Sequence, residues 1–266
     1  MPRTQPALEN VRRRSSRQVA RIAGRWLLPG QFVITAEHAS NHVPAAYKGL
    51  GLTRRRLESH IAWDPGSKTI ARACAKMLAC PCHEGGHSRL FVDLNRSLHH
   101  PKLLASLSFA IPIPGNENLS RDERERRIGA CYMPFREAVL ADVRRIIKAH
   151  RRCVHLSIHS FTPVVDGVKR EGDIGILYDP SRRIEKTLAA RLVDRIAEEG
   201  FHVRRNYPYR GVADGHVTHL RKLFRESRYA GLEVEVNQAI LQTASEIRRV
   251  ANSIAAAVKS LADVGP

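Results

Sequence analysis

The stretch Val154-His155-Leu156-Ser157-Ile158-His159-Ser160-Phe161-Thr162-Pro163 decides how this chain folds. Val154 to Ile158 has the length and apolar character of a central strand, and His159 stands where that strand would end. Comparable runs occur on either side, at Phe32 to Ala36, Arg89 to Leu94, Asp173 to Tyr178 and Leu232 to Val236, with longer helical patterns between them. Short apolar runs alternating with helices mark a mostly parallel sheet covered by helices. The expected fold class is α/β, a three-layer sandwich with a mixed, mostly parallel sheet and helices on both faces.

Local signals place the helices. Asp64-Pro65 predicts a cap and a first-turn proline before Lys68 to Leu78, and Asp179-Pro180 predicts the same before Ile184 to Glu199, which stops at Gly200. Ser120 with Glu123, and Thr243 with Glu246, have the spacing of reciprocal capping boxes. The stretch from His99 to Asn118, with Pro101, Pro112 and Pro114, reads as a long surface loop lying over a site, and Pro134 bounds the next helix.

At 266 residues and 43% hydrophobic, the chain has room for one large core. The expected organisation is a basic N-terminal extension over residues 1–27 and a single α/β domain over 28–266. No apolar run has the length of a membrane span and no short apolar block opens the chain, so a soluble cytoplasmic protein is expected. Five cysteines are present, and only Cys80 and Cys82 sit close together, separated by one residue. That spacing fits neither a zinc knuckle nor a redox CxxC pair, which leaves buried reduced thiols.

A net charge of +18 invites a nucleic-acid reading. Against it, many arginines lie in mixed runs such as Arg121-Asp122-Glu123-Arg124-Glu125-Arg126-Arg127, which pair internally on a helix. Aromatic residues make up 6% of the chain and do not interleave with the basic clusters, so no stacking platform for bases is visible. A basic nucleic-acid-binding protein stays open as the second reading.

In open α/β sheets ligands bind beyond the carboxyl ends of the strands. The first strand runs directly into Glu37-His38-Ala39-Ser40-Asn41-His42. Imidazole and carboxylate are the usual ligands of a hydrolytic zinc, and His159 at a second strand end supplies another imidazole. Ser88 to Arg96 offers Arg89 and Arg96 at its two ends with Asn95 beside the second, donors suited to a substrate carboxylate. Proton transfer needs a base, and Glu233 or Glu235, which share one strand face by period-2 alternation, can provide it.

These segments together resemble the N-formylglutamate amidohydrolase family from about Val33 to Leu241. The matching pieces occur in family order: Glu37 to Pro44, His60-Ile61-Ala62-Trp63-Asp64-Pro65-Gly66, Ser88 to Arg96, Ile158 to Pro163, Asn206-Tyr207-Pro208-Tyr209, and Glu235-Val236-Asn237-Gln238. The resemblance implies hydrolysis of N-formyl-L-glutamate, a small anionic N-acyl amino acid, to formate and glutamate, a step in some bacterial histidine-degradation routes, with an amidase for a different N-acyl amino acid or a peptide-like substrate as a further alternative. It also implies a fold similar to zinc carboxypeptidases and aspartoacylases and a divalent metal, zinc by expectation. Carried over by motif, His38 and His159 become metal ligands, Glu235 the catalytic carboxylate, Asn95 and Arg96 the carboxylate receptors, and Arg89 the group that polarises the scissile carbonyl. Asn206 and Tyr209 are expected to contact substrate. The relatives carry a Glu three residues after the first His where this chain has Asn41, so the third ligand comes from elsewhere, with Glu37 and Asp64 as candidates. The chain also departs from the family pattern at Pro65-Gly66 and at Asn237.

Overall fold

The computed structural model describes residues 30 to 262, so the basic segment 1–27 lies outside the described residues. The strands are β1 (Phe32–Ala36), β2 (Cys82–Glu84), β3 (Leu107–Ser108), β4 (Ile111–Pro112), β5 (Cys153–Phe161), β6 (Val164–Val165), β7 (Val168–Lys169), β8 (Ile174–Leu177), β9 (Val203–Arg205) and β10 (Tyr229–Asn237). The helices are α1 (Arg54–Leu57), α2 (Ser67–Leu78), α3 (Arg121–Arg127), α4 (Met133–His150), α5 (Arg183–Glu198), α6 (His216–Leu223) and α7 (Ala244–Ala262). Six strands form one sheet in the order β2-β1-β5-β10-β8-β9, while β3-β4 and β6-β7 are separate two-stranded hairpins. β2, β1, β5 and β10 run parallel. β8 joins β10 antiparallel, and β9 runs parallel to β8. The fold is therefore α/β with a mixed, mostly parallel sheet.

Period-2 alternation gives the two sheet faces different characters. Even-numbered residues Phe32, Ile34, Ala36, Val154, Leu156, Ile158, Leu232, Val234 and Val236 pack against α2, α5 and α7 in the largest core cluster. Odd-numbered residues face α4 and α6. There Val33, Cys153 and Tyr229 pack with Val139, Val143, Ile146 and Leu220 at the amino ends of the strands. Toward the carboxyl ends the same face turns polar, with Thr35, His155, Ser157, His159, Glu233 and Glu235 all buried. An unpaired buried polar group costs about 1–3 kcal/mol, so a buried polar stripe this long stands only if its members satisfy one another.

Both caps form, but only the second closes as a reciprocal box. The Ser120 hydroxyl accepts from the Glu123 amide at 3.2 Å, and Thr243 and Glu246 bond reciprocally at 2.8 and 3.1 Å. The proline signals are displaced, because each acidic residue has other work. α2 starts at Ser67 after Gly66, whose φ of +84° turns the chain sharply and lets the Asp64 carboxylate point away from the helix. α5 starts at Arg183, and the Asp179 carboxylate accepts from the Ser181 amide instead.

One expected strand is absent. Arg89 to Leu94 runs as consecutive turns, with the Phe91 amide bonded to the Ser88 carbonyl and the Arg96 amide to the Asp93 carbonyl. Its apolar side chains Leu90, Phe91, Val92 and Leu94 fill a second core with Leu50, Ile61, Leu103 and Ile113, so a strand-like run is buried with no strand beside it. The edge strands β2 and β9 are three residues each, too short to carry a periodic signal in the sequence. All five cysteines are free; Cys74 and Cys153 are buried and the other three partly so. Among the described residues no helix is long and apolar enough to cross a membrane.

Candidate active site

β1, β5 and β10 bring His38, His159 and Glu235 to the polar end of the odd-numbered face. β5 and β10 are in register there, with Glu235 opposite His159 and Glu233 opposite Ser157. Three connecting segments are stitched over this end by backbone bonds. The Asp64 amide donates to the His38 carbonyl at 3.0 Å, the Ser88 amide to His42 at 2.8 Å and the Arg89 amide to Ala62 at 3.1 Å. The Ser160 hydroxyl ties the turn at Pro65 to β5 at 2.8 Å. These bonds hold Asp64 and Arg89 against His38 although 25 or more residues separate the segments.

The ligand-capable atoms of His38, Asp64 and His159 lie within 4.8 Å of one another, all buried. Asp64 Oδ2 is 3.3 Å from His38 Nδ1 and 2.8 Å from His159 Nδ1. The far nitrogens fix the tautomers. His38 Nε2 lies 2.7 Å from Asp93 Oδ1, a carboxylate that only accepts, so Nε2 carries the proton. His159 Nε2 lies 2.9 Å from Ser157 Oγ, whose own proton goes to Glu37 Oε2 at 2.6 Å, so this Nε2 also donates. With either ring neutral, its Nδ1 lone pair therefore faces Asp64. Two such nitrogens and a carboxylate on one point, each imidazole backed by a carboxylate or a carboxylate relay, is the donor chemistry of a divalent-cation site. The residues present fit the group that the sequence implies.

Electrostatics follow this geometry. Burial works against charge on His159, but the bond to Asp64 outweighs it and raises the ring to about 10. Burial also opposes ionisation of Asp64, yet Arg89 and His38 beside it hold the carboxyl far below its usual range. Arg89 Nη2 donates to Asp64 Oδ1 at 2.7 Å and touches His38 Nδ1, while its buried Nε has no partner among the described residues. Glu235 is pushed up to about 8 by burial, and its Oε2 is likewise buried and unpartnered. The unsatisfied guanidinium nitrogen and the carboxyl that titrates close to neutrality both belong to residues lining one cavity, where perturbed titrating groups make a candidate site.

Glu37 is placed behind this group. It accepts from the Thr35 hydroxyl at 2.7 Å and from His216 Nδ1 at 3.0 Å on Oε1, and from Ser157 on Oε2, with His159 Nε2 at 3.4 Å. The chain of donors continues outward, since Thr35 lies 2.8 Å from His155 Nε2 and His155 Nδ1 lies 2.8 Å from the Tyr229 hydroxyl. Burial holds both His155 and His216 down, to about 3 and about 4, so each stays a neutral member of this network.

The cavity has a volume of about 690 Å³ and is lined by Asn95, Arg96, Glu233 and Tyr209 as well as His38, Asp64, Arg89, His159 and Glu235. Asn95 sits 3.4 Å from His159 Nε2 and accepts from the His216 amide at 2.7 Å. Arg96 donates to the Asp214 carbonyl at 3.2 Å. The loop from His99 to Asn118 does cover the site, contributing Pro101, Lys102 and Ala105 to Ala110 to the walls. Asn206 is not brought to the cavity; its Oδ1 accepts from the amides of Tyr178 and Gly211 at 3.0 and 3.2 Å and braces the loop that carries Tyr209. Sequence reasoning misses Asp93, Ser157, His216 and Arg170. Asp93 and Ser157 lie two residues from Asn95 and His159, and the same-face spacing in β5 is the available signal for Ser157.

Fold and site together define a class, an α/β hydrolase with a buried cluster of ionisable side chains, His38, Asp64, His159 and Glu235, at the carboxyl ends of its parallel strands. The N-formylglutamate amidohydrolase family model matches residues 30–241, and the chain belongs to that family, whose members act on an amide bond. Among solved structures, the chain is similar to gene product Atu2144 from Agrobacterium tumefaciens, with 33% identity, a TM-score of 0.76, and coverage of 88% of this chain and 92% of that one. It shares its fold with N-formylglutamate amidohydrolase from Ralstonia eutropha JMP134, with 18% identity, a TM-score of 0.71, and coverage of 90% and 94%. No curated protein matches the chain.

Proposed function

We propose that this protein is a soluble cytoplasmic amidohydrolase that cleaves N-formyl-L-glutamate to formate and L-glutamate, with a divalent cation, zinc by preference, held by His38, Asp64 and His159. The observation that carries this reading is the convergence of both Nδ1 atoms on Asp64 while both Nε2 protons are committed elsewhere. A zinc ion bound there supplies Lewis acidity toward water and the amide carbonyl.

The chain's own groups do the rest. Glu235 takes a proton from the attacking water on its unpartnered Oε2 and returns it to the departing amine nitrogen, a role suited to a carboxyl that titrates near working pH. Arg89 donates to the carbonyl oxygen as negative charge develops there, and its orphaned Nε is the available donor. Asn95 and Arg96 receive a substrate carboxylate, and Tyr209 lines the same cavity.

A panel of N-formyl, N-acetyl and N-succinyl glutamate and aspartate, run with zinc and with chelator, tests the reading. Release of formate and glutamate that depends on the cation supports it. Failure to cleave any of these amides, or cleavage indifferent to chelator, sinks it.

A further inference from the structure

An N-acyl glutamate presents two carboxylates, and Asn95 with Arg96 accounts for one. Four arginines line the cavity, Arg89, Arg96, Arg170 and Arg210, and they differ in how they are engaged. Arg89 is ion-paired with Asp64 at 2.7 Å, and Arg96 has Asp93 at 3.8 Å. Arg170, on the segment just past β7, and Arg210 line the cavity with no carboxylate partner among the described residues, and of the two Arg170 is the one packed on aromatic rings.

Arg170 is nevertheless held in place. Its amide closes the β6-β7 hairpin on the Pro163 carbonyl at 2.8 Å. Its guanidinium carbon lies 5.1 Å from the centre of the Tyr209 ring and 5.9 Å from that of Phe161, and Nη1 donates to the Tyr209 hydroxyl at 3.0 Å. One of five guanidinium donors is thus spent on orientation and the others stay available. The Tyr209 hydroxyl, having accepted from Arg170, keeps its own proton to give. A guanidinium fork ordered by two rings, with a hydroxyl beside it, is a preformed carboxylate receptor whose immobilisation cost is met before substrate arrives.

We infer that Arg170 and Tyr209 together receive the second carboxylate of a dicarboxylic substrate, and so select an N-acyl acidic amino acid over its neutral counterpart. The inference rests on the proposed amidohydrolase activity and adds to it the residue that makes the substrate acidic. Arg170 is a specificity residue and takes no part in bond cleavage.

Steady-state kinetics on N-formyl-L-glutamate and N-formyl-L-glutamine, which differ only in that carboxylate, test it. The wild-type protein favours glutamate. In Arg170→Ala the ratio of kcat/KM for glutamate over glutamine falls by about tenfold to a hundredfold, mainly through KM, as expected for losing a charged hydrogen-bonded pair. Arg170→Lys recovers part of the ratio, because it restores the charge without the planar fork, and Tyr209→Phe lowers it less than Arg170→Ala. If the wild type cleaves formylglutamate with no preference, or Arg170→Ala leaves the ratio unchanged, this inference is wrong while the proposed function stands. If the wild type cleaves no N-acyl dicarboxylate at all, the proposed function fails first and the inference falls with it.

Discussion

Replacing Glu235 by Gln removes one buried titrating group and keeps its shape, and the structure fixes the sign of the resulting change in stability. The folded chain holds the Glu235 proton up to about pH 8, against an ordinary carboxyl value of 4.5, because burial penalises the charge. Between those values the unfolded chain binds fewer protons than the folded one, so wild-type stability falls as pH rises from about 4.5 to about 8 and levels off above. At 1.36 kcal/mol per tenfold, the full difference is about 5 kcal/mol as an upper bound, and relaxation around the charge brings the expected value to about 2–4 kcal/mol. Glutamine does not titrate, so Glu235→Gln lacks this slope. Urea unfolding of chelator-treated protein at pH 5 and pH 9 measures it. The two proteins should be closest in stability at pH 5, and at pH 9 the variant should be the more stable by about 2–4 kcal/mol relative to that baseline. The same variant should lose about 10²–10⁴ in kcat, since it neither accepts nor returns a proton. Parallel stability profiles for the two proteins would refute the assignment of a buried, high-titrating carboxyl at this position.

The same geometry sets further outcomes. Asp93→Ala frees His38 Nε2 from its acceptor and should weaken zinc binding by about 10- to 100-fold in a chelator competition, with Asp64→Ala weakening it further. Glu37→Ala orphans the donors Thr35, Ser157 and His216 at once, and should cost about 3–5 kcal/mol, seen as a Tm lower by roughly 10 °C in calorimetry. Gly66→Ala puts a methyl 2.9 Å from Leu241 Cδ1 at a φ of +84°. It should cost about 1–3 kcal/mol in denaturant unfolding and, by displacing Asp64, lower zinc occupancy as well.

Much of the architecture is legible in the sequence because it is periodic. Four of the five expected strands coincide with observed ones, and β5 and β10 extend beyond their apolar cores at both ends. The exception, Arg89 to Leu94, shows what periodicity leaves out: a continuous apolar run records burial and says nothing of what lies beside it. Asp64-Pro65 reads as a cap because local propensity ranks Asp as one, whereas tertiary bonds from His38 and His159 claim the carboxylate. Of the groups gathered at the cavity, His38, His159, Arg89, Asn95, Arg96 and Glu235 are legible, since their motifs end strands or fill turns. Arg170 and His216 come from segments with no motif of their own, and only the fold carries them to the cavity or its support.

The odd and even faces of β5 and β10 have a consequence for how such a protein changes over time. Even positions are constrained by volume, and a neighbouring aliphatic of similar size serves there as well as another. Odd positions toward the carboxyl ends are constrained by charge, hydrogen bonding and reach. A lineage can therefore drift along one set of positions and acquire a new leaving group or acyl preference along the other, with each strand contributing to both histories at alternate residues. The scaffold is heritable apart from the reaction it carries.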